Sequence, residues 1–146
     1  MSQATGFDYA PTGKPQPVVK PGEFVFASAF MDHGHIYGQT NGLLEAGGVC
    51  KWAWDPDPAR LKTFLEKYPE AKPASSFEAI LEDAEVHLVT AAAIPNRRCD
   101  IGLRVLDAGK DYLTDKSPFT TLDQLESAKR KVAEAGLNLR GFSGAA

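Results

Sequence analysis

The feature that most constrains this chain is an alternation, beginning at Glu23, of short apolar runs with stretches of helical periodicity. Phe24-Val25-Phe26-Ala27-Ser28-Ala29 is nearly continuous in apolar and small residues, which suits a strand covered on both faces. Ile36, Thr40, Leu43 and Leu44 follow at helical spacing and stop at Gly47-Gly48. Val49 to Trp54 reads as a second strand. Asp57 and Pro58 supply an N-cap and a first helical residue, and Leu61, Phe64, Leu65 and Tyr68 form an i, i+3, i+4, i+7 stripe ended by Pro69. Ser75 and Glu78 read as a capping box ahead of Phe77, Ile80 and Leu81. Val86 to Ala93 is a third strong strand, with His87 inside it as a structural residue. Asn96 is placed to cap a helix bearing Ile101, Val105 and Ala108, closed by Gly109. Asp111 to Thr114 is a short strand. Thr121 and Gln124 open a helix that turns Leu122, Leu125, Val132 and Ala135 inward and ends at Gly136. Leu137-Asn138-Leu139 begins a last strand.

Strands separated by single helices on short connections call for right-handed crossovers and hence a parallel sheet. The expected class is α/β, a Rossmann-type doubly wound and mostly parallel sheet in three layers, α/β/α, over residues 23–146. Residues 1–22 hold four prolines and three glycines, a density that opposes both helix and inner strand, and read as a flexible or extended arm. A length of 146 residues fits one domain. The net charge of −3 lacks the basic excess of a general nucleic-acid binder. No run approaches the roughly 20 apolar residues of a membrane span, and the N-terminus lacks the apolar segment of a secretory signal. A cytoplasmic protein with no membrane or nucleic-acid partner is expected, with Cys50 and Cys99 reduced and partly buried.

In an open parallel sheet, ligands bind beyond the carboxyl ends of the strands, so four loops carry the candidate site. The first, around Ala29, Met31, Asp32, His33, Gly34, His35 and Ile36, lies where a dinucleotide fold sets the pyrophosphate on free backbone N–H groups. It has no G-x-G-x-x-G fingerprint. In the second loop Asp55 follows a strand about 20 residues after Gly34, the spacing of a carboxylate that accepts ribose hydroxyls. Such a carboxylate favours NAD over NADP, subject to Arg60 nearby; the alternative is that Asp55 only opens the Asp55-Pro56-Asp57-Pro58 turn. The third loop holds Ala93, Pro95 and Asn96, facing the nicotinamide side or serving as a cap alone. Arg97 and Arg98 read as a solvated first turn. In the fourth, Lys116 follows Asp115 at a strand end and is the candidate catalytic group: a lysine in the crevice could hand a proton or hydrogen bond to a substrate oxygen. An exposed surface lysine is the competing reading. His33 and His35 are two ligands without an accompanying carboxylate or cysteine cluster, so no metal is assigned.

Taken in order, Asp55-Pro56-Asp57-Pro58-Ala59-Arg60, then Glu85-Val86-His87-Leu88-Val89 leading to Ala93-Ile94-Pro95-Asn96, then Ala108-Gly109-Lys110-Asp111-Tyr112-Leu113-Thr114-Asp115-Lys116, resemble the N-terminal domain of the glucose–fructose oxidoreductase / inositol dehydrogenase / MocA family. Asp115-Lys116 is similar to that family's Glu-Lys-Pro motif, with a shorter acid and with Ser117 before Pro118. Cys99 stands where the family often has histidine. The resemblance implies an NAD cofactor, with NADP as the alternative, held by Asp55 at the adenosine ribose and by Pro95 and Asn96 near the nicotinamide ribose. It implies that Lys116 contacts a sugar or polyol substrate. The family's C-terminal domain, which completes the active site and mediates oligomerisation, has no counterpart in these residues. The expectation is therefore a truncated nucleotide-binding half, inactive alone, with self-association through an exposed face as an option. The alternatives are a cofactor-free binding or assembly module, and an enzyme completed by another chain.

Overall fold

The computed structural model describes residues 16–136 and 139–142. Its elements are β1 (Val25–Ala29), α1 (His35–Glu45), β2 (Val49–Trp54), α2 (Pro58–Lys67), β3 (Lys72–Pro73), α3 (Phe77–Glu82), β4 (Leu88–Ala91), a 3-10 turn (Pro95–Arg97), α4 (Arg98–Asp107), β5 (Asp111–Asp115), α5 (Leu122–Ala135) and β6 (Leu139–Phe142). The six strands form one sheet in the order β3-β2-β1-β4-β5-β6, and every pairing is parallel. The expected doubly wound architecture is therefore present, with a fully parallel sheet. The two-residue β3 escaped the sequence pattern because it is too short to show a period. Pro73 is tolerated there because β3 is an edge strand.

Alternation along the strands feeds two cores, one on each face of the sheet. Phe26, Cys50 and Ala53 pack with Ile36 of α1 and Phe64 of α2. Ala27, Ala29, Val89, Ala91 and Tyr112 pack with Phe77 and Ile80 of α3 and Ile101 and Val105 of α4. Burying side chains such as Phe26, Phe64 and Phe77, each 0–1% exposed, contributes about 1.5–3 kcal/mol apiece. Between α1 and the sheet runs a polar seam. The Ser28 and Thr40 hydroxyls lie 2.9 Å apart, and Thr90 donates to Gln39 Oε1 at 3.2 Å.

Local chemistry sets the helix ends. The Asp57 side chain accepts from the Ala59 N–H, and Thr121 accepts from that of Gln124. Gln124 Oε1 reaches back to the Thr120 N–H, one residue before the cap. Two expected caps are corrected. Ser76, not Ser75, accepts from the Ala79 N–H. Asn96 sits inside the 3-10 turn and caps nothing, because Pro95 begins that turn one residue earlier. Gly136 closes α5 at φ +63.

Gly47 and Gly102 are among the glycines required by their surroundings. A Cβ on Gly47 (φ +100) would meet the Val19 carbonyl oxygen at 2.7 Å, since residues 17–19 lie along the end of α1 and the Val18 N–H donates to Ala46 O. A Cβ on Gly102 would meet the Tyr112 ring at 2.6 Å. Most of the expected N-terminal arm (residues 1–15) and part of the last strand (residues 137–138) lie outside the described residues. Cys50 and Cys99 are free and buried, and burial pushes the Cys50 thiol up to about 11. Among the described residues, no helix is long and apolar enough to cross a membrane.

Candidate functional site

Register brings the loops together. Ala29 of β1 pairs with Trp54 of β2 and Ala91 of β4, and Ala91 pairs with Thr114 of β5. Four carboxyl ends are therefore level at one edge of the sheet. β1 and β4 are neighbours whose chains depart in opposite directions, the switch point at which such sheets bind ligands. Among the described residues, the only non-glycine residues with positive φ are Phe30 and Lys116, both at φ +53, each one residue past the end of β1 or β5. Left-handed backbone at such residues costs on the order of 1 kcal/mol and persists only where neighbours enforce it. Phe30 is held by its N–H on Trp54 O and its own O on the Ala92 N–H, both at 3.1 Å.

Asp55, one residue past β2, is buried. Its Oδ2 accepts from the Met31 N–H at 2.5 Å; its Oδ1 accepts from the Asp57 N–H at 2.7 Å and from Arg60 Nε at 2.9 Å. A carboxylate offers about four acceptor positions, so about one remains. Arg60 also reaches Asp32 at 3.2 Å and Asp57 at 4.0 Å. The hydrogen bond that Arg60 donates to Asp55 raises its guanidinium above its ordinary range. Three acids thus surround one arginine, leaving local negative charge. Beside them lies a cavity of about 240 Å³ lined by Met31, Tyr37, Ala59, Arg60 and Thr63.

At the start of α1 Gly34 supplies no side-chain cap, but His33 Nδ1 accepts from the His35 N–H at 3.2 Å, and the Ile36 and Tyr37 N–H groups donate to His33 O and Gly34 O, each at 3.2 Å. His33 and His35 face each other edge to face at 4.1 Å. His35 Nδ1 lies 2.5 Å from Asp115 Oδ1, and His33 Nδ1 lies 4.0 Å from Asp115 Oδ2. The expectation of a histidine pair without a carboxylate is thereby corrected: the fold supplies Asp115 from 80 residues away. Arg98 completes the group. Its Nε donates to Ala93 O at 2.8 Å, its Nη1 to Ser117 O at 3.2 Å, and its Nη2 lies 3.6 Å from Asp115 Oδ2. Arg98 is buried, so the reading of a solvated Arg97-Arg98 turn is corrected for Arg98. It brackets the third and fourth loops and holds the turn that presents Lys116. An arginine in the first turn of a helix carries no signal in sequence that it will fold inward.

The remaining predicted positions divide by burial. Ala29, Met31, Ile36 and Ala93 are in the core, so they face the crevice through backbone at most. Asp32 and His35 are half-buried at its rim, and His33, Gly34, Pro95, Asn96 and Lys116 are exposed there. A Cβ on Gly34 would meet nothing within 4 Å, so the space before the helix N-terminus is open. That opening, the dipole end of α1 and the level strand ends fit a dinucleotide. Asp55 fits less freely, because its oxygens are already engaged. His87 is structural, as expected: its Nδ1 accepts from the Val25 N–H at 3.0 Å and its ring stacks on Phe24.

Residues 29–140 match the family model described as an oxidoreductase family with an NAD-binding Rossmann fold. Among solved structures, a provisionally assigned oxidoreductase from Erwinia carotovora atroseptica SCRI1043 is 36% identical, with a TM-score of 0.79 over 82% of this chain and 36% of that one. An NAD-binding protein from Listeria innocua is 17% identical, with a TM-score of 0.73 over 82% of this chain and 35% of that one. GenD2 from gentamicin A biosynthesis, solved in complex with NAD, is 16% identical, with a TM-score of 0.77 over 90% of this chain and 37% of that one. The chain spans little more than a third of the length of these structures. No curated protein is significantly similar to it. The match over most of its length, on the all-parallel sheet just described, makes this chain a member of the glucose–fructose oxidoreductase / inositol dehydrogenase / MocA family, as its NAD-binding Rossmann domain.

Proposed function

We propose that this chain binds NAD in the crevice at the ends of β1, β2, β4 and β5, as the nucleotide-binding half of an oxidoreductase acting on a sugar or polyol. The observation that carries the reading is the set of four level strand ends around the open space at the start of α1. That terminus offers a positive dipole end to a pyrophosphate, and the His35 N–H would join it once the exposed His33 ring turns away. Asp55, with its last acceptor position, would take the adenosine ribose, and Pro95 and Asn96 would border the nicotinamide ribose. The acids Asp32, Asp55 and Asp57 around Arg60 oppose a 2′-phosphate, which favours NAD over NADP. When bound, the nicotinamide supplies hydride acceptance or donation. Lys116, held out by its left-handed turn, would donate a hydrogen bond or proton to a substrate oxygen. Turnover further needs a surface that closes the crevice and excludes water. Two unpaired buried thiols suit a reducing, cytoplasmic compartment.

One observation favours the alternative of a cofactor-free binding module: the Asp55 carboxylate is fully enclosed and bonded three ways. Titration with NADH and NADPH, followed by nicotinamide fluorescence and calorimetry, separates the two. Saturable NADH binding, tighter than NADPH, is expected. Failure of both to bind at millimolar concentration would establish the alternative.

A further inference from the structure

His33, His35 and Asp115 each present one ligand atom, and these atoms all lie within 4.8 Å of one another. Gly34 separates the two histidines as the chain enters α1, and Asp115 ends β5. The three converge because α1 packs over β4 and reaches β5. A tetrahedral zinc with bonds of about 2.0–2.2 Å sets its ligand atoms roughly 3.3–3.6 Å apart. The observed separations, 2.5 Å from His35 Nδ1 to Asp115 Oδ1 and 4.0 Å from His33 Nδ1 to Asp115 Oδ2, bracket that range. Small rotations of the histidines would equalise them, with His33 Nδ1 giving up the His35 N–H from which it accepts at 3.2 Å. Their side chains are 56% and 38% exposed and have room to turn, whereas that of Asp115 is 2% exposed and anchored.

We propose that His33, His35 and Asp115 form a binding site for a divalent transition metal, with zinc the ion best matched to two imidazoles and one carboxylate. The buried carboxylate is the fixed point and the two rings close on it from the rim. Three protein ligands would leave one position open to a further ligand. Arg98, 3.6 Å from Asp115 Oδ2, is a competing cation that lowers the affinity. Its bonds to Ala93 O and Ser117 O keep it in place, so it also orients the carboxylate and leaves Oδ1 toward His35. The site shares the start of α1 with the proposed pyrophosphate position but needs no dinucleotide, so metal binding is measured without NAD and its failure leaves the NAD reading untouched.

The test is calorimetric titration of the full metal-free chain with Zn²⁺, without dinucleotide, alongside the visible spectrum of Co²⁺ in the same site. One equivalent of Zn²⁺ and a tetrahedral Co²⁺ spectrum are expected. His33→Ala and His35→Ala should each weaken Zn²⁺ binding by roughly 100-fold or more, since even changes to groups that merely orient ligands cost about 10–100-fold. His87→Ala, outside the cluster, should leave the affinity unchanged. Asp115→Asn tests the third ligand; His33→Ala, at an exposed loop position, keeps the test decisive if that variant fails to fold. Absence of stoichiometric Zn²⁺ binding would overturn the proposal. So would affinity indifferent to both histidine substitutions, or affinity lost with His87.

Discussion

Asp55 Oδ2 accepts a hydrogen bond from the Met31 N–H at 2.5 Å, so the end of β2 holds the loop that leaves β1. The same carboxylate is the candidate ribose ligand, and its two roles separate in one variant. Asp55→Ala strands the buried Met31 N–H, and losing the partner of a buried donor costs about 1–3 kcal/mol. Urea denaturation should show that loss. If the remaining acceptor position serves the ribose, NADH affinity of the folded variant should fall by roughly 10-fold, since hydrogen bonds to charged groups contribute about 1.5–3 kcal/mol. A stability loss with unchanged affinity would confine Asp55 to a structural role.

Arg98 should matter more than any cation on the surface. Arg98→Ala removes the bridge between Ala93 O and Ser117 O and the cation beside the buried Asp115 carboxylate. Breaking such a buried pair on one side costs about 3–5 kcal/mol. Arg98→Lys should recover only part of it, because a single ammonium lacks the planar fork that spans two carbonyls. Denaturation midpoints give the first effect. Faster amide exchange around residues 116–118 would report the freed loop.

Gly102→Ala is expected to destabilise although alanine is the better helix former. The added Cβ would sit 2.6 Å from the ring of Tyr112, which is 1% exposed and enclosed by its core. Overpacking of this kind costs about 1–3 kcal/mol, more than the gain of up to about 1 kcal/mol from helix propensity. A thermal midpoint equal to or above that of the parent chain would show that Tyr112 has room to move.

Acid should expose the bracket at Asp83. Lys51 and the Trp52 indole, both 2.6 Å from Asp83 Oδ2, hold this carboxyl at about 2, below its ordinary range. A folded-state value below the unfolded one of about 3.9 favours the folded chain at higher pH. That contribution is complete above about pH 4 and fades as the pH falls toward 2. Urea midpoints from pH 5 to pH 2 should decline, and Asp83→Asn should flatten part of the decline. An unchanged slope in the variant would remove Asp83 as its source.

What the sequence alone determined is local in origin. Strand runs such as Val49 to Trp54, the stripe from Leu61 to Tyr68 and the caps at Asp57 and Thr121 act within a few residues, so periodicity and capping chemistry were enough to read the class of fold and which loops leave the strand ends. Ser75 and Asn96 were misread by a residue or a turn, because several neighbouring residues can serve as a cap and only the backbone path selects one. Tertiary structure decided the partners within those loops. Asp55 finds Met31 across 24 residues, and Asp115 finds His35 across 80, through the register of parallel strands and the passage of α1 over the sheet. Arg98 turned inward because two carbonyls and a carboxylate from separate loops were waiting there, a convergence that no window of the sequence contains.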